Sequence, residues 1–131
     1  MIDVCCAIII DEAGKVLVAQ RSTRMLLPLK MEFPGGKIEL GESAEDCLIR
    51  EIKEELNVDI QILSGRAAHQ HIYPEFSIRL IPFVCRIIAG DVVLKEHASY
   101  SWMETSALRG CDWAAADIPI VNDYLDSLGI N

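Results

Sequence analysis

The stretch from Ser43 to Asn57 constrains this chain more than any other. Ser43 suits a helix N-cap, and Asp46, three residues on, imitates the reciprocal partner of a capping box, so a helix is expected to start at about Ala44. Ala44, Cys47, Leu48, Ile52 and Leu56 recur at three- and four-residue spacing and mark its inner face. Glu45, Arg50, Glu51, Lys53, Glu54 and Glu55 occupy the remainder. Asn57 is placed to close the helix in left-handed conformation. Glu51, Glu54 and Glu55 stand at i, i+3 and i+4, which puts three carboxylates within about 100° of arc. Like charges so close cost stability. Two readings follow: a solvated outer stripe, or a face compensated by a cation, with Arg50 and Lys53 supplying part of the positive charge.

The preceding loop bears on that choice. After Met31-Glu32-Phe33 the chain turns at Pro34-Gly35-Gly36, where glycine lets the backbone approach a ligand closely, and Lys37 adds a cation. Glu42 sits just before the helix, where it could join the carboxylate face. Hard carboxylate and carbonyl oxygens are what Mg²⁺ or Mn²⁺ prefers, and Mg²⁺ characteristically links a few protein carboxylates to substrate phosphates. Loop and helix together read as a metal-phosphate site.

The rest of the chain fits a small α+β fold. Asp3–Ile10 and Lys15–Gln20 read as strands of a hairpin turned at Asp11-Glu12-Ala13-Gly14, and Arg21 to Lys30 as a surface loop. Val58–Leu63, Ala67–Ile72, Phe76–Ile88 and Asp91–Leu94 have strand composition, with Pro82 marking an edge or bulge in the longest run. Asp117 precedes a second helix with Pro119 in its first turn and Ile118, Val121, Tyr124, Leu125 and Leu128 on one face. The order predicts a mixed sheet between two helices, in one domain spanning residues 1–131. Its 131 residues suffice for a core without disulfides, and Cys5, Cys6, Cys47, Cys85 and Cys111 are expected to be reduced thiols. His69 and His71 form an HxH without a carboxylate or cysteine at supporting spacing, so zinc is not expected. The net charge of −8 and the lack of a Lys/Arg cluster argue against a polynucleotide partner. An anionic small molecule would need divalent cations between it and so acidic a chain. No apolar run reaches the ~20 residues of a membrane helix. The start of the chain lacks the basic region and cleavage site of a secretory signal, so the cytoplasm is expected.

Gly36, five residues, Glu42, seven residues, then Arg50-Glu51-Ile52-Lys53-Glu54-Glu55-Leu56-Asn57-Val58 resembles the Nudix box, Gly-x5-Glu-x7-Arg-Glu-U-x-Glu-Glu-x-Gly-U with U aliphatic. Asn57 replaces the last glycine, a departure expected to cost little because Asn tolerates left-handed backbone. The resemblance extends to the MutT-like branch of nucleoside triphosphate pyrophosphohydrolases. Glu32-Phe33-Pro34-Gly35-Gly36-Lys37-Ile38-Glu39 is similar to that branch's entry into the box, and Val16–Arg21 to its second strand with a phosphate-reaching arginine. Lys95-Glu96-His97 with Trp102 is similar to its distal segment, and Ala116-Asp117-Ile118-Pro119 to the place where Asn or Asp meets the base. These details also resemble the CTP or modified-pyrimidine pyrophosphohydrolases.

The resemblance implies an α/β/α sandwich around a mixed sheet. It also implies cleavage of a (deoxy)nucleoside triphosphate, such as 8-oxo-dGTP, to the monophosphate and pyrophosphate. Glu51, Glu55 and the Gly35 or Gly36 carbonyl would hold Mg²⁺ (or Mn²⁺), with Glu54 and Glu96 binding further ions. Glu54, Glu96 and Glu51 are the candidates for the base, and Arg50 would orient the catalytic glutamate. Arg21 and Lys37 would neutralise phosphate oxygens, Glu32, Phe33 and Pro34 would belong to the substrate site, Phe76 and Leu80 would flank the base, and Asp117 would read it or cap its helix. The alternatives are a CTP or 5-methyl-dCTP pyrophosphohydrolase, an ADP-ribose or dinucleoside polyphosphate hydrolase, and a nucleotide-sensing module without catalysis. Monomer and homodimer are both compatible with the sequence.

Overall fold

A computed structural model describes residues 1–130. Eight strands and two helices follow one another: β1 (Ile2–Ile9), β2 (Val16–Gln20), β3 (Met31–Glu32), β4 (Gly35–Lys37), α1 (Ala44–Leu56), β5 (Asp59–Gly65), β6 (His69–Ile72), β7 (Ser77–Ala89), β8 (Ser99–Met103) and α2 (Ile118–Ser127). Two 3₁₀ turns, Thr105–Gly110 and Ala115–Asp117, lead into α2. One sheet runs β4-β1-β7-β5, with β6 also on β7; the other is β3-β2-β8. β1 and β7 are parallel and every other named pair is antiparallel, so the larger sheet is mixed.

The pleat explains the layering. Along β1, Cys5, Ala7 and Ile9 face one core with Leu48, Ile52 and Leu56 of α1, while Cys6 and Ile8 face a second core with Ile120, Val121, Tyr124 and Leu125 of α2. β2 alternates the same way, Leu17 toward the first core and Val16 and Val18 toward the second. Strands buried on both faces between two helices make the expected α/β/α sandwich. No helix among the described residues is long and apolar enough to cross a membrane.

Several expectations need correction. The tight turn forms, with Asp11 Oδ1 accepting from the amides of Ala13 (3.0 Å) and Lys15 (2.8 Å), but β1 and β2 are not a hairpin. They diverge into separate sheets and share only the isolated bridge Ile10–Val16, because each needs partners that cover both of its faces. Asp91–Leu94 is not a strand. The Val93 amide instead donates to Leu56 O (2.9 Å) and the Lys95 amide to Glu55 O (3.2 Å), satisfying carbonyls left free at the end of α1. β7 runs through Pro82, since the missing N–H points to the edge where β6 gives way to β5; on that side Pro82 O accepts from the Arg66 amide (3.0 Å). In α2, Ile120 replaces Ile118 and Leu128 on the inner face, these two being 46% and 50% exposed at the helix ends. Ser99–Met103, absent from the expected strands, is β8 on the edge of β2.

The helix ends match the sequence reading except that only the Ser43 half of the capping box forms, with no bond from the Ser43 amide back to the Asp46 carboxylate among the described residues. Ser43 Oγ accepts from the Asp46 amide (3.0 Å), and Asn57 sits at φ 63°, ψ 26°, its own amide donating to Lys53 O (3.1 Å). A Cβ-bearing residue without a polar side chain is strained there. Asn57→Ala should therefore lose about 1 kcal/mol in urea unfolding while Asn57→Gly does not, and equal losses in both would refute the conformational account.

Candidate active site

The site begins where β4 is pressed between β1 and α1. A Cβ on Gly35 would lie 1.9 Å from the Cys5 carbonyl oxygen, and one on Gly36 would lie 2.3 Å from the Glu51 carboxyl carbon. Glycine at these two positions thus admits the Glu51 carboxylate against the loop backbone. The Gly36 carbonyl is turned toward the Cys5 and Cys47 thiols, at 3.4 and 3.8 Å. The Gly35 carbonyl is then the freer backbone oxygen. All five cysteines are free thiols.

Arg50 organises the outer part of the carboxylate face. Its Nε and Nη2 donate to both oxygens of Glu42 (3.1 and 2.6 Å), and its Nη1 donates to Glu51 (2.9 Å) and Glu54 (3.3 Å). Glu42 therefore does not join a cation face; the Arg50 guanidinium holds its carboxyl down at about 2. Lys53 does not compensate the stripe either, since it pairs with Asp59 (3.7 Å). Glu51 is raised by burial, against which Arg50 acts.

Glu55, on the same helix face, has no ion-pair partner among the described residues. Burial first, then the negative charges of Glu32 and Glu51, push its carboxyl up to about 9, with the Gly35 amide opposing. Its Oε2 is buried without a hydrogen-bond partner. No three His, Cys, Asp or Glu side chains among the described residues converge as a ready-made metal cage. The donor chemistry nevertheless fits a hard divalent cation: a buried, unpartnered carboxylate oxygen, two further glutamates on the same helix face, and a backbone carbonyl beside them.

A cleft of about 310 Å³ opens beside this face, lined among others by Gly35, Gly36, Lys37, Glu55, Glu32, Arg21, Phe33, Phe76, Leu80 and Asp117. Glu32 lines the same cleft as Glu55 and Asp117, and its charge raises both of them. Asp117 does not cap α2; its Oδ1 accepts from the Phe33 amide (3.1 Å). Burial first, then Glu32, pushes Asp117 up to about 8, against the Phe33 amide and Arg21. The Phe33 ring packs on Trp113 (4.8 Å between centroids), so this residue combines core packing with a backbone contact to Asp117. Pro34 is buried behind the cleft, its carbonyl accepting from the Ala7 amide (2.8 Å). Phe76 leans on Tyr73 (4.8 Å), and Leu80 is buried in the wall.

Three residues are placed less simply than the resemblance implied. Arg21 is paired with Glu32 through Nη1 and donates from Nε to Leu26 O. Lys37 is exposed at the cleft and forms no salt bridge among the described residues. Glu96 is exposed in a neighbouring groove with Ser22, Arg24 and Lys95, yet its charge still contributes to raising Glu55. Two participants were not among the expected site residues. Tyr73 accepts from the Ala116 amide through its hydroxyl (3.0 Å), tying the cleft wall to the Asp117 segment. His97 is buried with Nε2 2.7 Å from Glu32.

Two outcomes are expected. Gly36→Ala should keep the fold by circular dichroism but displace Glu51 and reduce turnover about 10²-fold; undiminished turnover would show that this contact is dispensable. Without metal, Asp117 and Glu55 bind protons more tightly in the folded than in the unfolded chain. The stability they contribute is complete below the ordinary carboxylate range and is lost as pH rises toward about 8 for Asp117 and about 9 for Glu55. Melting temperature followed over that window should fall less steeply in Asp117→Asn than in the wild type, and parallel curves would refute the Asp117 shift.

A family model described as the NUDIX domain matches residues 1–123. The chain is 30% identical over 114 residues to the 8-oxo-dGTP diphosphatase of Escherichia coli K12, covering 87% of this chain and 88% of that one. It is 32% identical over 125 residues to the CTP pyrophosphohydrolase of the same organism, covering 95% and 92%. A solution structure of MutT, a Nudix hydrolase from methicillin-resistant Staphylococcus aureus 252, superposes with a TM-score of 0.77 at 40% identity over 96% of each chain. With the glutamate helix, the glycine loop and the sandwich in place, the chain belongs to the Nudix hydrolases and is MutT-like.

Proposed function

We propose that this protein cleaves a (deoxy)nucleoside triphosphate to the monophosphate and pyrophosphate with Mg²⁺ as its cation, in one catalytic domain spanning residues 1–131. The observation that carries the reading is the one cleft lined by the unpartnered Glu55 carboxyl, the buried Asp117 and Glu32, whose charge acts on both. One end suits phosphates and the other a flat, largely apolar group with a few polar edges. A cytoplasmic placement suits five free thiols and a nucleotide substrate.

Nudix hydrolases generally use divalent cations, and here Glu51, Glu55 and the Gly35 carbonyl would hold them, with Glu96 as a further ligand and Glu54 left to act as the base. A bound cation would acidify the attacking water and offset charge on the phosphate oxygens. Glu54, 60% exposed and held by Arg50, is placed to accept the proton of the attacking water, whose oxygen would bond to one phosphorus of the α,β bridge as that phosphorus's bond to the bridging oxygen breaks, the bridging oxygen leaving with the other product. Arg50 fixes Glu51 and Glu54 relative to one another and touches no substrate. Lys37, and Arg21 once it turns from Glu32, neutralise phosphate oxygens. Phe76 and Leu80 cover the base, and Asp117 meets its polar edge through the oxygen that Phe33 leaves free.

The base is read in one of two ways. An oxidised purine such as 8-oxo-dGTP would make the protein a nucleotide-pool sanitiser; CTP or 5-methyl-dCTP is the second reading, supported by the 95% coverage of the match to the CTP enzyme. Pyrophosphate release across 8-oxo-dGTP, dGTP, CTP, dCTP, 5-methyl-dCTP and ADP-ribose decides between them. Triphosphates should be turned over and ADP-ribose not, and preferential cleavage of ADP-ribose would overturn the proposal. On the preferred substrate, Glu54→Gln and Glu55→Gln should each cost about 10²- to 10⁴-fold in rate. Near wild-type rates in both would remove this helix from catalysis.

A further inference from the structure

His97 and Asp117 are the buried polar residues of the described chain, and the mechanism above uses only Asp117. The segment carrying His97 is fixed on both sides of it: the Lys95 amide donates to Glu55 O (3.2 Å) and the Ala98 amide to Gln20 O (2.9 Å). The imidazole, 1% exposed, is thereby driven inward, where Nε2 meets Glu32 Oε2 at 2.7 Å. Its Nδ1 has no partner. Burying an imidazole with one nitrogen unmet is unfavourable, and an aliphatic side chain would fill the space without that cost. What an aliphatic chain cannot do is donate to Glu32.

Glu32 has two oxygens and two donors. Oε1 is held by Arg21 and Oε2 by His97, and the carboxylate lines the cleft at the point that influences both Glu55 and Asp117. In the proposed reaction Arg21 is also needed by the phosphates. Every donor Arg21 directs to a phosphate weakens its grip on Glu32, whereas His97 does not line that cleft and makes no competing contact.

We infer that His97 is a positioning residue for nucleotide recognition: its Nε2–H holds the Glu32 carboxylate facing the cleft when Arg21 turns to the phosphates, so that Glu32 accepts a hydrogen bond from an N–H or O–H of the nucleoside. This rests on the reading of the cleft as a nucleoside triphosphate site. His97 itself touches neither substrate nor cation. Its loss therefore weakens binding rather than the bond-breaking step.

The test is the affinity, by calorimetry in Mg²⁺, for the α,β-methylene analogue of the triphosphate hydrolysed fastest, alongside KM and kcat for that triphosphate. His97→Leu should raise Kd and KM about tenfold with kcat within about threefold. His97→Gln, whose amide nitrogen reaches the place of Nε2, should restore both. In a Glu32→Gln background His97→Leu should add no further loss, because the oxygen it positions no longer carries the charge. If His97→Leu does not fold, His97→Asn replaces it, since its shorter amide cannot reach Glu32. Wild-type affinity in the donor-lacking variant, equal impairment in His97→Gln, or undiminished additivity with Glu32→Gln would each overturn the role. Analogue binding without any pyrophosphate release would sink the hydrolase reading and still test His97. Pyrophosphate release with unchanged affinity in His97→Leu would sink His97 alone, and a wild type that neither binds nor hydrolyses would overturn both.

Discussion

The close approach of the Gly35-Gly36 backbone to β1 on one side and to Glu51 on the other sets the position of everything else in the site. With Cβ distances of 1.9 Å to Cys5 O and 2.3 Å to the Glu51 carboxyl, a side chain at Gly35 would collide with backbone and one at Gly36 would displace the Glu51 carboxylate. Because β4 is registered on β1 through Cys5–Gly36 and Cys6–Gly35, the loop carbonyls are placed by the same strand that supplies both cores. The helix is fixed to that strand in turn through Leu48, Ile52 and Leu56. Chemistry and core packing thus share one piece of backbone, and a site built on regular elements is held more rigidly than one built on loops.

Charge is distributed unevenly over this frame. Arg50 satisfies Glu42, Glu51 and Glu54, and Arg21 with His97 satisfies Glu32. Glu55 and Asp117 are left without an ion-pair partner among the described residues, and both are pushed upward chiefly by burial. The imbalance has a direction: a divalent cation would relieve Glu55, and a polar base edge would relieve Asp117. A substrate carrying phosphates at one end and a base at the other meets both needs in one binding event.

Local features were legible in the sequence and distant ones were not. The helix, its Ser43 cap and the left-handed Asn57 follow from residues within four positions of one another, and each is found where the spacing puts it. The hairpin expectation failed because a turn such as Asp11–Gly14 reports only that the chain reverses, not which sheet each strand then joins. β8, with its alternating Ser and aromatic residues on an exposed edge, carries too weak a pattern to separate from loop. In the site, the Glu51, Glu54 and Glu55 face could be read from periodicity, whereas the Glu32–His97 and Phe33–Asp117 contacts join residues 65 and 84 positions apart. Asp117 looked like a cap because cap residues and buried acceptors are the same amino acids; only the fold shows that its oxygen goes to another segment. Arg21 could be placed at a strand end, but its pairing with Glu32 depends on the two strands meeting.

The central claim is that one helix face and one loop cut a triphosphate between monophosphate and pyrophosphate with the help of a divalent cation. Product stoichiometry tests it most directly, by following nucleoside monophosphate, pyrophosphate and inorganic phosphate together on the preferred triphosphate, with Mg²⁺ present and after chelation. The account predicts equal amounts of monophosphate and pyrophosphate, no inorganic phosphate, and no reaction after chelation. Release of inorganic phosphate with a nucleoside diphosphate, or turnover that survives chelation, would contradict it.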